Sequence, residues 1–193
     1  MKVTSHFIGV TLDNRLFVDL FVDLQTYLTD NNIADSVSFH NPLSTHITVY
    51  YLDKNLARSD QEKITKDLKK INKRFLNTVV KVDRVDFFRK NDKESLCFLS
   101  PSNINELVEL NHFFKSNYPN KVSNNDFLFM PHISIFNIKN HSTFATHKAA
   151  FLAIINKNLK TIEEDNALRS INLYYVNSTF HPEIQIIDHL VLG

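Results

Sequence analysis

Two of the nine histidines in this 193-residue sequence stand in the same local pattern: histidine, aliphatic residue, hydroxyl residue, aliphatic residue. The first copy is HITV at 46–49, and the second, HISI at 132–135, begins 86 residues later. Histidine titrates near neutral pH, so two imidazoles can serve as acid and base in one reaction. The repeated pattern therefore predicts that His46 and His132 form a catalytic pair.

The hydroxyl residues of the two patterns are predicted to bind phosphate. Side chains alternate between the two faces of a strand, so Thr48 should share a face with His46, and Ser134 with His132. Hydroxyl groups placed beside a phosphate can donate hydrogen bonds to its non-bridging oxygens as charge builds on phosphorus. Thr48 and Ser134 are thus expected to flank the same small cavity as the two imidazoles.

The same alternation places one aromatic residue after each pattern on the histidine face. These residues, Tyr50 and Phe136, are candidates for stacking on a nucleobase. Packing in the core is an equally good interpretation of both.

The chemistry that suits this set of residues is cleavage of a phosphodiester that lies beside a ribose hydroxyl. Opening a 2′,3′-cyclic phosphate needs a base for the nucleophile and an acid for the departing oxygen. A zinc site is the competing interpretation, but neither pattern contains an HxH or HExxH arrangement, and Cys97 has no cysteine partner at metal-ligand spacing. We therefore expect no metal and no cofactor.

Glycine is scarce, which excludes other ways of binding phosphate. The sequence has two glycines, Gly9 and Gly193, so it contains neither a P-loop nor the glycine fingerprint of a dinucleotide-binding fold.

The elements that must position these residues can be read from hydrophobic periodicity. Apolar residues at helical spacing predict a helix over about 15–30, and two serines, Ser59 and Ser102, are candidate caps of two further helices. Short β-rich segments alternate with these helices, and a polar turn predicts a hairpin between two of them. This mixture indicates an α+β fold with antiparallel sheets. The predicted strands cover 6–12, 45–52, 78–88, 95–99, 127–138, 170–176 and 183–192, and a last helix covers about 143–158.

The HITV and HISI segments resemble the two H-Φ-[ST]-Φ motifs of the 2H phosphoesterase superfamily, and the resemblance extends over nearly the whole chain. That group includes RNA 2′,3′-cyclic phosphodiesterases once called 2′-5′ RNA ligases, 2′-5′-oligoadenylate phosphodiesterases, and phage enzymes that destroy cyclic-nucleotide signals. The resemblance implies two pseudo-symmetric lobes of antiparallel sheet, outer helices and a central cleft. It also implies that His46 protonates the leaving oxygen and His132 activates the nucleophile, an order that the sequence itself leaves open.

The chain departs from the bacterial RNA enzymes at two positions. Asp53 stands where they usually have glycine after the first motif, and Asn137 where they often have a basic residue after the second. Three substrates therefore remain open: RNA ends with a 2′,3′-cyclic phosphate, 2′-5′-oligoadenylate and cyclic oligonucleotides. The alternative to an enzyme is a non-catalytic module that binds RNA ends or nucleotides in the same cleft.

Composition sets the broader expectations. The net charge is +1, but residues 54–93 hold 13 Lys and Arg against 6 Asp and Glu, which is suited either to guiding a phosphate-bearing substrate or to a solvated helix face. No apolar run reaches the roughly 18 residues that span a bilayer. The single cysteine, Cys97, is expected to be buried and suits a reducing cytoplasm. We expect one domain over 1–193, a monomer, with RNA ends or a small oligonucleotide as partner.

The predicted site has a testable geometry. The two motifs are expected on adjacent central strands, one in each lobe, with the imidazoles facing each other across a cleft. A phosphate held between them would put the nearest ring nitrogens roughly 5–7 Å apart. Two further histidines, His6 and His40, are expected near the cleft but without a role.

Overall fold

The computed structural model describes residues 5–13, 15–53, 56–71, 75, 78–119, 126, 128–163, 170–176 and 184–191. Strands and helices are mixed along the chain, as the periodicity predicts. In chain order the elements are β1 (Ser5–Thr11), α1 (Arg15–Asp30), β2 (Val37–Phe39), β3 (Ile47–Leu52), α2 (Arg58–Ile71), β4 (Val82–Lys90), β5 (Lys93–Pro101), α3 (Asn105–Asn117), β6 (Ile133–Ile138), α4 (His141–Glu163), β7 (Ser170–Val176) and β8 (Ile184–Val191).

The strands form two antiparallel sheets, so the predicted α+β class is confirmed. The first sheet has the order β3-β1-β7-β8 and the second the order β2-β6-β5-β4. The first sheet combines strands from distant parts of the sequence, because it contains both β1 and β8, the first and last of the described strands. That the whole chain is a single domain stays a prediction.

The two motif strands occupy different positions in their sheets. β6 lies between β2 and β5, as expected for a central strand, whereas β3 is the outermost strand in the described part of its sheet. The expectation of two adjacent central strands is therefore wrong: the motifs face the site from separate sheets, and one comes from a sheet edge.

α1 and α2 pack through their predicted apolar stripes, but two predicted caps are wrong. α2 begins at Arg58, so Ser59 lies inside the helix. The residue before α3 is Ile104, which makes no side-chain cap bond, and the backbone N–H of Ser102 instead donates to the carbonyl of Lys81 at 3.0 Å. The predicted stripe of α1 is buried at Leu20, Phe21, Leu24 and Leu28, whereas at its start Phe17 is buried in place of the expected Leu16. None of the helices in the described ranges has both the length and the apolar character needed to cross a bilayer.

The predicted hairpin joins β4 to β5. Its turn residues, Asn91 and Asp92, have φ values of 51° and 61°. Asn and Asp tolerate this left-handed conformation better than most residues, which suits a tight turn whose twist matches that of the strands.

A β-bulge interrupts β3 directly after the first motif. Across the ladder with β1, Ile8 pairs with Tyr50 and Gly9 pairs with Thr48, so Val49 is an extra residue without a counterpart in that ladder. An extra residue reverses the alternation of faces from that point onward.

The second motif strand carries a bulge at the matching position. In the ladder between β5 and β6, Cys97 pairs with Phe136 and Phe98 pairs with Ser134, which makes Ile135 the extra residue. β3 and β6 consequently share one order of exposure, namely buried, half-buried, buried, buried, half-buried, buried.

Candidate active site

Both motif histidines are held in the same way by the chain that precedes them. The Nδ1–H of His46 donates to the carbonyl of Ser44 at 2.7 Å, and the Nδ1–H of His132 donates to the carbonyl of Met130 at 2.9 Å. In each case the acceptor lies two residues earlier. Because a carbonyl can only accept, Nδ1 carries the proton in both rings, and Nε2 is the nitrogen that can exchange a proton with a ligand.

Aromatic rings fix the orientation of the two imidazoles. Phe7 of β1 stacks on His46, with ring centroids 5.0 Å apart and planes inclined by 28°. His132 instead meets two phenylalanines edge-on, with centroids 4.9 Å from Phe88 and 5.3 Å from Phe98. Both histidines are half-buried, so each ring is held by packing but retains some contact with solvent.

The histidines influence one another electrostatically. Burial lowers the pKa of His46 below its ordinary value, the bond to Ser44 raises it, and the charges of His40 and His132 lower it further. Burial likewise lowers the pKa of His132, partly offset by its bond to Met130. The three imidazoles therefore lie within electrostatic reach of one another. The expected 5–7 Å separation between the ring nitrogens of His46 and His132 stays a prediction.

His40 is expected from the sequence to be a bystander, but the structure couples it to the site. Its pKa is lowered first by burial and then by the charge of His132. The side-chain amide of Asn137 donates from Nδ2 to Nε2 of His40 at 3.1 Å, so Nε2 accepts and is unprotonated in this arrangement. The sequence contains no pattern linking these residues, which are 97 positions apart; β2 pairing with β6 brings them together.

Thr48 and Ser134 lie where the strand alternation places them. Each is half-buried, and each is flanked by buried aliphatic residues, as expected for side chains on the face opposite to the core. Thr48 also lines a cavity together with His132, so residues of both motifs reach the same space. Binding of phosphate by the two hydroxyls stays a prediction.

Tyr50 and Phe136 are not placed to stack on a nucleobase, so that interpretation is wrong. Tyr50 is 2% exposed and its hydroxyl donates to the carbonyl of Tyr118 at 2.7 Å, while Phe136 is 0% exposed. The cause is the bulge in each strand, which turns the residue after it toward the core. Tyr51 and Asn137 are half-buried instead, and Tyr51 lines the cavity.

The cavity measures about 970 Å³ and extends from the motif residues to α3. Its wall is formed by β3, β4, α3 and the segment that leads into β6. The lining residues are Thr48, Val49, Tyr51, Phe88, Ile104, Val108, Asn111, His112, Lys115, Asp126, Leu128, Phe129, Met130 and His132. In the part of the chain that the structure describes, no three His, Cys, Asp or Glu residues are grouped closely enough to hold a metal ion.

Solved structures with the same fold support the architecture. Escherichia coli LigT complexed with phosphate is similar over 100% of this chain and 99% of its own, with a TM-score of 0.57 and 11% identity. A protein described as a phosphoesterase matches over 98% and 99% of the two chains, with a TM-score of 0.61 and 10% identity. The protein TT0787 of Thermus thermophilus matches over 97% of both chains, with a TM-score of 0.57 and 13% identity.

Comparison of sequences finds no relative: no protein-family model and no curated protein sequence matches the chain. The expected likeness to 2H phosphoesterases is confirmed at the level of the fold, because the structural similarity covers essentially the full length of both chains.

Proposed function

We propose that this protein is a phosphodiesterase that hydrolyses RNA-type phosphodiesters by general acid–base catalysis between His46 and His132, without a metal ion. The observation that carries the proposal is the matched way in which both rings are held. Each Nδ1–H is bonded to the carbonyl two residues earlier, so each ring offers Nε2 for proton transfer. Two imidazoles held in the same tautomer, each followed by a hydroxyl residue, supply an acid, a base and two hydrogen-bond donors.

In this mechanism, a neutral imidazole takes a proton from water through Nε2 while the water attacks phosphorus. The other imidazole, in its protonated form, gives a proton to the departing ribose oxygen. Thr48 and Ser134 donate to the non-bridging oxygens as negative charge accumulates. By resemblance to the superfamily, His46 acts as the acid and His132 as the base.

The substrate is a phosphodiester with an adjacent ribose hydroxyl or a cyclic phosphate. Three candidates share this chemistry, namely RNA ends with a 2′,3′-cyclic phosphate, 2′-5′-oligoadenylate and cyclic oligonucleotides. E. coli LigT has been crystallised with 3′-AMP and with ATP. These complexes support a nucleotide as the ligand of the corresponding cleft in this chain.

A second function, binding of nucleotides or RNA ends without turnover, is separated from the first by a substrate panel. A 2′,3′-cyclic phosphate, a 2′-5′-linked oligoadenylate and a cyclic dinucleotide are incubated with the protein in excess EDTA, and products are resolved by chromatography. The proposal expects at least one of the three to be hydrolysed at an undiminished rate in EDTA. Binding of these ligands with no product from any of them would instead establish the binding module.

A further inference from the structure

Helix α3 presents two different faces, and only one of them belongs to the core. Leu107, Leu110 and Phe114 are each 0% exposed and pack inside the protein. A second stripe begins at Ile104, the residue before the helix, and continues at Val108, Asn111 and Lys115. The intervals of four, three and four residues keep it on one side of the helix. All four of these residues line the cavity, so the second stripe faces the space that Thr48 and His132 also line.

The second stripe changes character along its length. Ile104 and Val108 are apolar and half-buried, Asn111 is polar, and Lys115 is exposed and basic. From the first to the last, the stripe covers about 16 Å of helix axis. A stacked strand advances about 3.4 Å per nucleotide, so this surface is longer than a mononucleotide requires.

Asn111 ties the middle of the stripe to the catalytic strand. Its side-chain amide donates to the carbonyl of Val49 at 2.7 Å. Val49 is the bulged residue next to Thr48, so α3 is fixed directly against the first motif. A ligand that reaches Thr48 and His132 would therefore lie directly beside this helix.

The cavity is also large among ligand pockets. Pockets for small molecules occupy roughly 300–1,000 Å³, and this cavity, at about 970 Å³, lies at the upper end. Tyr51, Phe88 and Phe129 add aromatic surface to the apolar part of the lining. Stacking and apolar contact of this kind bind the faces of nucleobases with little dependence on sequence.

We propose that the α3 stripe binds the nucleotide adjacent to the scissile phosphate, so that the preferred ligand is an oligonucleotide of at least two nucleotides. The inference rests on the proposed function, because it takes the phosphate to lie between His46 and His132. The flanking base packs against Ile104 and Val108, and the sugar–phosphate chain runs past Asn111 toward Lys115.

The test compares two ligands that share the same terminal phosphate. The dissociation constants of adenosine 3′-monophosphate and of the dinucleotide adenylyl-(3′→5′)-adenosine 3′-monophosphate are measured by calorimetry. The wild-type protein should bind the dinucleotide about tenfold more tightly or better. Val108→Asp, which places a negative charge on the stripe, should reduce that preference by roughly five- to tenfold, and Val108→Asn, which adds no charge, should reduce it less.

Two matched variants serve as controls. Asn105→Asp introduces the same charge on the same helix, at an exposed position outside the lining, and should leave the preference intact. Lys115→Ala should weaken dinucleotide binding more than mononucleotide binding. Its control is Lys66→Ala, at an exposed position on α2, which should leave both affinities unchanged. Thermal unfolding of every variant checks that each is folded.

Equal affinity for the two ligands in the wild type, or equal losses for both ligands in Val108→Asp, would overturn the inference. The outcome is independent of turnover. A preference for the dinucleotide without hydrolysis would support this inference and contradict the proposed enzymatic function. Hydrolysis of a cyclic mononucleotide without any dinucleotide preference would support the enzymatic function and contradict this inference.

Discussion

The two halves of the candidate site, one on β3 and one on β6, contain the same pair of a histidine and a hydroxyl residue but differ in the residues around that pair. In each half, a histidine bonded to the carbonyl two residues earlier is followed by a hydroxyl residue and then by a bulge. The two strands also have the same order of buried and half-buried residues. The same local arrangement thus appears twice, once on the outermost strand in the described part of one sheet and once inside the other sheet.

The surroundings of the two halves differ in a way that bears on their roles. Past the bulge, the first half presents Tyr51 to the cavity, whereas the second presents Asn137, which holds a third histidine, His40. The carbonyl of the bulged residue accepts from the Asn111 side chain in the first half and from the backbone N–H of His40 in the second. Identical centres in unequal environments can take up opposite roles, one as acid and one as base.

The largest expected effect tests whether both halves are needed. His46→Ala and His132→Ala should each lower kcat/KM by about 10²–10⁴, because neither ring can replace its partner in proton transfer. His141→Ala, at an exposed position on α4, is the control and should keep wild-type activity. Near wild-type turnover in either single variant would show that the site does not work as a pair.

The next contrast uses Tyr50 and Tyr51, the two neighbouring tyrosines that follow the bulge and face opposite sides of the strand. Tyr50→Ala should lower the free energy of unfolding by about 3–5 kcal/mol, because it empties a buried aromatic position. Tyr51→Ala should cost less stability and should instead raise KM several-fold. Chemical denaturation and steady-state kinetics measure the two effects, and a reversed result would mean that the bulge does not sort these side chains as described.

A smaller effect is expected at the hydroxyl residues. Thr48→Ala and Ser134→Ala each remove one of the proposed donors to the phosphate, which should raise the activation barrier by about 2–4 kcal/mol at most. The exchange variants Thr48→Ser and Ser134→Thr keep a hydroxyl and should retain most activity. Single-turnover rates provide the measurement; wild-type rates in both alanine variants would show that the hydroxyls do not contact the reacting phosphate.

The smallest expected effect concerns pH. Catalysis needs one imidazole protonated and one neutral, and burial lowers the pKa of both below the ordinary value of 6.5. The maximum of kcat/KM should therefore lie below pH 6.5, with activity falling as rising pH removes the acid's proton. A maximum above pH 7 in the wild type would contradict the lowered pKa values.

His40 allows a further test of the pH profile of kcat/KM. When His40 is protonated, its charge lowers the pKa of His46, so His40→Gln should let that pKa rise and move the profile toward higher pH. His141→Gln is the matched control and should leave the profile in place. An unchanged pH profile in His40→Gln would show that His40 does not influence the pKa of His46.

Much of the fold could be predicted because its signals are local. The stripe from Leu16 to Leu28 predicts the span of α1, and the polar turn around Asn91 and Asp92 predicts the hairpin. The motif histidines and hydroxyls are also local, since strand alternation alone separates Thr48 from the buried Ile47.

The errors arise where a feature depends on a partner strand. The faces of Tyr50 and Phe136 follow from bulges that exist only in the ladders with β1 and β5, so alternation within one strand misassigns both. His40 meets Asn137 because β2 pairs with β6. A short strand such as β2 carries no pattern of its own from which such a contact could be read.

The position of Cys97 has a practical consequence for studying the cleft. The thiol is buried in β5, paired across the ladder with Phe136, and burial raises its pKa well above the usual range. Since the thiolate is the form that reacts with alkylating reagents, the native protein should resist labelling until it unfolds. A cysteine introduced at Met130, which is 51% exposed and lines the cavity, would then accept a fluorophore selectively. Its emission would follow ligand entry in real time on a chain whose native thiol needs no removal.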